Sequence, residues 1–226
     1  MSGERQAILV LRASGAAVLL LSVAMLAAFP ASPAERNVPG FTSPVVGFEL
    51  ATTPEEVLGI LGHPGNPARA AVVERMNRGN RIDFLFMIAY PALYIGIVLL
   101  LRARGRLTGS LGRVAMLLPG VMWLGDVLEN RELLALAALT DPAAMAGALA
   151  RLRPCTLVKW HALFAMSILV AYPIWKDRSW WRWAGPVFGA AGSVGLASVL
   201  APPATEIAAY LLSLGWLATW AYALRA

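Results

Sequence analysis

The sequence contains six apolar runs, each long enough to cross a lipid bilayer as a helix. A helix needs about 20 predominantly apolar residues to span the hydrocarbon layer. The runs cover residues 8–29, 82–101, 111–133, 157–175, 183–200 and 204–224. Because a bilayer offers no water to backbone polar groups, each run must satisfy its own hydrogen bonds as a helix. The sequence therefore predicts an all-α, polytopic membrane bundle of about six transmembrane helices with short interfacial helices.

The composition agrees with this class and argues against others. Hydrophobic residues make up 58% of the chain and charged residues 14%, whereas soluble domains average about 25% charged residues. A single cysteine, Cys155, excludes an internal disulfide and a Cys-x-x-C pair. The net charge of +6 comes largely from arginines in short connections between apolar runs, which is typical of membrane proteins. We therefore expect no nucleic-acid partner.

We interpret residues 1–226 as a single integral membrane domain, in which residues 30–81 form a partly helical extracytoplasmic loop. The first span resembles a signal sequence, and we expect an uncleaved signal anchor, with a cleaved secretory signal as the alternative. Residues 133–152 contain an Asp-Pro pair and end in arginines. We expect them to form an interfacial or re-entrant helix rather than a seventh span.

The long loop carries clear helix signals. Thr53 and Glu56 have the spacing of a capping box, and Gly62 is expected to end the short amphipathic helix that follows. Asn66 can cap a second helix, which is expected to continue from Pro67 into the second span. His63, between these helices, is expected to be solvated.

Basic residues indicate the orientation. Two tight connections hold Arg102, Arg104, Arg106 and Arg113, and then Lys176, Arg178 and Arg182. The positive-inside rule places both connections, and hence both termini, in the cytoplasm. Four arginines before the second span give an opposing signal, namely Arg69, Arg75, Arg78 and Arg81. The predicted location is the plasma (inner) membrane.

The third span carries ionisable side chains within an apolar run. Asp126, Glu129 and Asn130 stand at i, i+3 and i+4 and share one helix face, whereas Arg131 and Glu132 point away from it. A charged side chain at the centre of a span costs roughly 2.5–3.5 kcal/mol, so such residues normally face a bundle interior or a water-filled cavity. The third span therefore predicts a site without naming its chemistry.

With both termini cytoplasmic, Asp126 lies in the outer half of the bilayer, and Asp83, Lys159, His161 and Glu206 begin the second, fourth and sixth spans at the outer face. Tyr90 and Tyr94 continue the helical stripe of Asp83, and Tyr210 continues that of Glu206. We interpret them as walls of an outward-facing pocket between spans two, three, four and six. The candidate catalytic residues are Asp126, Glu129 and His161, and the candidate ligand contacts are Asp83, Asn130, Tyr90, Tyr94, Lys159, Glu206 and Tyr210.

Three functions fit such a pocket. The favoured hypothesis is a protein that binds or passes a small amphiphile or cation. A small intramembrane enzyme is the first alternative, with carboxyl groups as general acid and base on a lipid-soluble substrate. An accessory subunit of a membrane complex is the second. The sequence does not decide whether the chain is an enzyme or which cofactor it uses, and we expect no metal, although a carboxylate-rich site of Asp83, Asp126, Glu129 and His161 is chemically possible.

Two further patterns concern packing and partners. Gly185, Gly189 and Ser193 form a small-xxx-small ridge, which serves as core scaffold or as a contact with a second copy or a partner subunit. An ion pair between Asp126 and Lys159 would be a structural alternative to a site. Four tryptophans are expected to anchor the chain in the membrane lipid, namely Trp175, Trp180, Trp181 and Trp183.

Overall fold

A computed structural model describes residues 3–226, which form helices and connecting loops without a strand. The helices are α1 (Gly3–Ala28), α2 (Pro44–Glu49), α3 (Pro54–Leu61), α4 (Arg69–Ala103), α5 (Gly109–Ala137), α6 (Pro142–Trp175), α7 (Ala184–Ala197) and α8 (Ala204–Arg225). Within residues 3–226, five helices are long and apolar enough to cross a membrane: α1, α4, α5, α6 and α8. The predicted all-α helical bundle is confirmed.

The predicted count of six spans is not confirmed. The segment predicted as the fifth span, residues 183–200, consists of the end of a 3-10 turn at Trp180–Trp183, the helix α7 and a turn that leads to Pro202 and Pro203. Helix α7 has 14 residues, so at 1.5 Å per residue it is about 21 Å long. That length is shorter than a hydrocarbon layer of about 30 Å.

The three central helices are longer than the apolar runs within them. Helices α4, α5 and α6 contain 35, 29 and 34 residues, which corresponds to about 52, 43 and 51 Å. Residues 133–152 therefore do not form a separate interfacial helix, and this prediction was wrong. Asp141 accepts a hydrogen bond from the backbone N–H of Ala144, and Pro142 is the first residue of α6. The Asp-Pro pair thus starts a long helix rather than interrupting one.

The helix signals in the long loop are confirmed. The Thr53 side chain accepts from the backbone of Glu56, whose carboxylate accepts from the N–H of Thr53 in return. Gly62 ends α3 with a φ of 93°, a left-handed conformation that favours glycine. Asn66 accepts a hydrogen bond from Ala68 just before α4 begins, and α4 continues unbroken into the second span. The short helix α2, capped by Ser43, was not predicted.

The chain packs into two compact units. Unit 1 contains α1 as far as Leu20, together with Phe86–Trp123 and Lys159–Ala226, and unit 2 contains Leu21–Leu85 and Leu124–Val158. The chain therefore passes between the units within helices α1, α4, α5 and α6. The single membrane domain predicted for residues 1–226 stays a prediction.

Unit 2 has a hydrophobic core of large side chains, so the long loop is folded. Its buried members include Phe41, Phe48, Val57, Ile60, Leu61, Met76, Leu133, Leu136, Met145, Leu149 and Leu152. These residues come from the loop and from the parts of α4, α5 and α6 that belong to unit 2. Burying a large aliphatic or aromatic side chain contributes about 1.5–3 kcal/mol. The loop helices are therefore held by tertiary packing rather than by their own short length.

Two of the arginines that opposed the predicted orientation stabilise helix ends in unit 2. Arg69 donates to the backbone oxygens of Gly62 and, at 2.7 Å, of Leu139. Arg75 donates to the oxygens of Ala27 and Phe29 at 3.0 and 2.7 Å. Carbonyls at a helix C-terminus lack intrahelical partners and attract cations. These arginines therefore have a structural role that the positive-inside rule does not consider.

Unit 1 is packed through small residues. A Cβ on Gly185 would lie 2.6 Å from the backbone oxygen of Ala171 in α6, and a Cβ on Gly192 would lie 2.7 Å from that of Phe164. A Cβ on Gly189 would lie 3.5 Å from the Cβ of Ala171, an ordinary contact. The first residue of the predicted ridge is therefore core scaffold between α6 and α7. A partner at the ridge stays a prediction.

Candidate functional site

The predicted site residues fall into both units. Unit 2 contains Asp83, Asp126, Glu129 and Asn130, and unit 1 contains Tyr90, Tyr94, Lys159, His161, Glu206 and Tyr210. The predicted pocket that would combine them stays a prediction, as do the catalytic and binding roles.

In unit 2, the polar residues of α5 are almost fully buried. The exposed fractions of Asp126, Glu129 and Asn130 are 3%, 1% and 1%. Their spacing places them on one face of α5, while Arg131 is exposed. Burial of this one face explains how a helix with an otherwise apolar sequence tolerates two carboxyl groups. Asp83, on α4, is half-buried.

Helix α4 contributes Asn80, which is 2% exposed, to the same unit. The side-chain Nδ2 of Asn130 donates a hydrogen bond of 2.6 Å to the backbone oxygen of Asn80. Because a carbonyl oxygen accepts only from a donor, this bond fixes which end of the Asn130 amide is nitrogen. We refer to Asn80, Asp126, Glu129 and Asn130 as the polar cluster.

Two amide atoms of the polar cluster have no hydrogen-bond partner among residues 3–226. They are the Nδ2 of Asn80, a donor, and the Oδ1 of Asn130, an acceptor. The Oδ1 of Asn77, one turn before Asn80 on α4, also lacks a hydrogen-bond partner among the described residues. A buried amide left without a partner costs about 1–3 kcal/mol. The arrangement therefore offers a donor and an acceptor to water or to a bound molecule.

Asn77 and Asn80 were not selected as site residues from the sequence. The signal was present, because Asn77, Asn80 and Asp83 follow one another at steps of three, a spacing that places side chains on one helix face. Asn80 also lies on the helical stripe of the second span that holds Asp83, Tyr90 and Tyr94, but only those three residues were chosen from the stripe.

In unit 1, Tyr90 and Tyr94 belong to a packed aromatic group. Their rings lie 5.9 and 6.2 Å from the ring of Trp216, centroid to centroid. The hydroxyls of Tyr94 and Ser167 share a hydrogen bond of 2.7 Å. Such aromatic pairs stabilise a core beyond their buried area. Trp216 was not predicted here, because nothing local in the sequence links it to the second span.

The remaining predicted residues of unit 1 differ in burial. Lys159 is buried, and its ammonium lies 4.9 Å from the centre of the Trp160 ring. Glu206 is buried in the first turn of α8, where a carboxylate is favoured by the helix dipole. His161 is half-buried, and Tyr210 is 65% exposed.

Unit 1 also contains a charged group where α1 and α8 meet, and its members are hydrogen-bonded to one another. Arg104 donates to Glu4 at 2.6 Å, to Asp177 at 2.7 Å and to the hydroxyl of Tyr222. We call these four residues the Arg104 cluster. The pKa of Asp177 is lowered, because hydrogen bonds from Ser179 and Arg104 outweigh the cost of burying its charge. The cluster brings the described ends of α1 and α8 to one end of unit 1.

His63 is not merely solvated, so that expectation was wrong. Its ring Nδ1 lies 2.7 Å from a carboxylate oxygen of Glu35, and its Nε2 lies 3.5 Å from Glu55. Glu35 also accepts from the backbone of His63 and from the side chain of Asn66. The backbone bond from His63 is the largest cause that lowers the pKa of Glu35 to about 2. The hydrogen bond to Glu35 raises the pKa of His63.

The tryptophans predicted as membrane anchors are of two kinds. Trp175, Trp180 and Trp183 are exposed, at 37%, 44% and 60%. Trp181 is fully buried, stacks on Tyr222 at 5.2 Å and donates to the hydroxyl of Thr219. Its prediction as a membrane anchor was wrong, because the 3-10 turn directs this one side chain into the core.

Within residues 3–226, no group of three or more His, Cys, Asp and Glu side chains is arranged to hold a metal ion. An open groove of about 390 Å³ in unit 2 is lined by residues that include Asn66, Arg69 and Val73. It contains none of the predicted site residues. No protein-family model matches the sequence, and neither the curated proteins nor the solved structures include one that matches it.

Proposed function

We propose that the chain is a multi-pass membrane protein whose polar cluster binds or passes a small amphiphile or cation. The membrane part of the proposal is supported by five helices of sufficient length and apolar character. In the proposed topology the membrane is the plasma (inner) membrane and the arginine-rich short connections are cytoplasmic. Both termini are also cytoplasmic, which requires an even number of crossings, so the proposed topology includes the short helix α7 as a sixth crossing.

One observation carries the binding proposal. Asn80 and Asn130, both almost fully buried, leave one amide donor and one amide acceptor without a partner in residues 3–226, beside the carboxyl-bearing face of α5. Native proteins satisfy nearly all buried polar groups, and an exception calls for a water, an ion or a function. A bound molecule whose head both donates and accepts hydrogen bonds, such as a hydroxyl group, would satisfy both atoms, and a cationic group beside it would benefit from the nearby carboxyl groups.

The type of ligand follows from the donors and acceptors present. The Oδ1 of Asn130 accepts, and carboxylates of Asp126 and Glu129 would accept as well, so the cluster prefers a group rich in N–H or O–H, or a bare cation. The Nδ2 of Asn80 adds one donor, which suits a head that also carries an oxygen. An amino-alcohol or a hydrated cation has this combination.

Thermal unfolding of the purified, full-length protein in mild detergent tests the proposal. The probes are sodium, potassium and ethanolamine, each added at increasing concentration. A ligand at a hundred times its dissociation constant stabilises the folded state by about 2.7 kcal/mol. We expect at least one probe to raise the unfolding temperature in a saturable way, and Asp126→Asn and Glu129→Gln to remove the response.

Glu132→Gln is the matched control. Glu132 lies on the same helix but is paired with the exposed Arg151 at 3.0 Å, so its loss should leave the response unchanged. If the control loses the response as fully as Asp126→Asn, or if no probe acts, the binding proposal fails. Turnover of a co-purified molecule that is lost in Glu129→Gln would instead support the enzyme alternative.

A further inference from the structure

A cationic and aromatic surface on unit 1 is not used by the proposed function. It is formed by the C-terminal turns of α6 and the 3-10 turn that follows. The guanidinium carbon of Arg182 lies 4.9 Å from the ring centre of Trp175 and 4.9 Å from that of Trp183. The two rings meet edge to face at 5.2 Å. We call Trp175, Arg182 and Trp183 the arginine–tryptophan site.

No carboxylate among residues 3–226 neutralises the cation of this site. Neither Arg182 nor its neighbour Lys176 forms an ion pair with a carboxylate within residues 3–226. The nearby acid, Asp177, uses one oxygen for Arg104 and the other for the backbone of Ser179. The Nε of Arg182 is buried and has no hydrogen-bond partner in the described chain. Because this nitrogen is buried, an anion would reach the guanidinium through its outer N–H groups, where it would supply the opposite charge.

The rings hold the guanidinium in a defined position. Cation–π contact with tryptophan restrains the Arg182 side chain without using its N–H donors. A restrained guanidinium presents a fork of donors that matches two oxygens of a phosphate. Lys176, over the ring of Tyr172 at 5.2 Å, adds a second positive charge directly after the C-terminal end of α6.

An apolar strip continues from this cation along α6. Ile168, Tyr172 and Trp175 follow at steps of four and three, so they share one helix face, and all three are exposed at 40%, 65% and 37%. A cation next to a strip of apolar surface is complementary to an anionic head joined to acyl chains. Exposed tryptophans at the end of an apolar helix are typical of the membrane–water interface, where such heads lie.

We propose that the arginine–tryptophan site binds the headgroup phosphate of an anionic phospholipid, with an acyl chain along the strip of Ile168, Tyr172 and Trp175. The proposal rests on the membrane location of the proposed function but not on the polar cluster. Basic pockets of membrane helices recognise lipid heads in this way.

The test uses the full-length protein in mild detergent, with native mass spectrometry to count bound lipid. The probes are phosphatidylglycerol and, for comparison, phosphatidylcholine of the same acyl chains. One basic residue near a lipid surface accounts for roughly a five-fold change in binding. We expect preferential retention of phosphatidylglycerol, reduced about five-fold in Arg182→Gln and less in Arg182→Lys, which keeps the charge but not the planar fork.

Arg178→Gln is the matched control. Arg178 is exposed in the same connection, and it does not lie over the Trp175 and Trp183 rings that hold Arg182. It should leave retention within about two-fold, as expected of a charge that is not positioned. Equal losses in Arg178→Gln and Arg182→Gln, or equal retention of the two lipids, would overturn the proposal. So would displacement of the lipid by inorganic phosphate alone, because the site would then recognise a soluble anion.

The variants also separate this proposal from the proposed function. Asp126→Asn should leave phosphatidylglycerol retention unchanged, and Arg182→Gln should leave the thermal response to small cations unchanged. If Arg182→Gln does not fold, Arg182→Lys decides, because it keeps the cation over both rings. Full phosphatidylglycerol retention in Arg182→Lys would then count against recognition by a planar fork.

Discussion

The two units differ in how completely their buried polar groups are hydrogen-bonded. In unit 1, Arg104 is hydrogen-bonded to Glu4 and Asp177, so the charges of that cluster neutralise one another. In unit 2, Asn130 donates to the backbone of Asn80, and each residue retains one amide atom without a partner in the described chain. Burial of a polar residue therefore does not by itself indicate a site. A buried polar atom that lacks a hydrogen-bond partner is a better indication of a site.

Unit 1 also has polar atoms without a partner in the described chain, and they differ in kind. They include the Nε1 of Trp220 and the Nε of Arg182. The indole N–H of Trp220 is a single donor on a large apolar ring. The Arg182 nitrogen belongs to the arginine–tryptophan site, whose proposed partner comes from outside the chain.

The largest effect is expected at the Arg104 cluster. Arg104→Met leaves Glu4 and Asp177 without their cation, and breaking a buried ion pair typically costs 3–5 kcal/mol. Because Glu4 is half-exposed, we expect a loss of roughly 3 kcal/mol, at the low end of that range. The measurement is equilibrium unfolding in mixed micelles of mild detergent and dodecyl sulfate. Arg102→Met, at an exposed neighbour, is the control, and equal losses in both variants would disprove the structural role of the cluster.

The next effect concerns the small-residue packing of unit 1. Gly185→Ala forces a Cβ to within 2.6 Å of the Ala171 oxygen and 2.8 Å of the Trp175 nitrogen, both backbone atoms. Overpacking of this kind costs about 1–3 kcal/mol. Gly189→Ala makes only an ordinary contact and should change the unfolding free energy by less than about 1 kcal/mol, in the stabilising direction, because alanine favours a helix. The reverse order of the two variants would contradict the packing described here.

A smaller change in stability, with a large change in binding, is expected at the polar cluster. Asn130→Leu removes one hydrogen bond but also a buried acceptor that has no partner, so the two contributions of about 1 kcal/mol each nearly cancel. We expect an unfolding free energy close to that of the parent and no thermal response to the small-cation probes. A loss as large as that of Arg104→Met would mean that the two clusters serve the same structural purpose.

The smallest effect is a pH dependence of the loop in unit 2. The raised pKa of His63 means that its protonated form stabilises the folded loop below its ordinary pKa of 6.5, and this contribution is lost as the pH rises through the raised value. The lowered pKa of Glu35 means that its contribution is present above 4.5 and lost as the pH falls toward about 2. Both contributions are therefore present between 4.5 and 6.5.

Hydrogen exchange of the segment from Glu35 to Asn66 measures this effect. After correction for the intrinsic exchange rate, protection should be greater near pH 5.5 than near pH 8.5, because the contribution of protonated His63 is lost as the pH rises. His63→Gln should remove the difference. A difference that persists in this variant would assign the pH dependence to another group.

Local signals in the sequence predicted much of the fold. The capping box at Thr53, the turn at Gly62 and the continuation of α4 depend on residues within a few positions of one another, and they were predicted as observed. The fifth span was not, because apolar composition does not reveal that α7 ends after 14 residues. The Asp141–Pro142 pair was taken for an interruption, although the same pair can equally start a helix.

Helix period and apolar length are properties of short segments, so the all-α class, the position of most helices and the face of α5 that carries Asp126 and Asn130 follow from local sequence. Which buried polar groups find partners follows from tertiary packing. Arg104 and Glu4 are 100 residues apart, and Asn130 and Asn80 are 50 apart. Hydrogen bonds require side chains to meet at about 3 Å, and packing, rather than local sequence, determines which distant side chains do so.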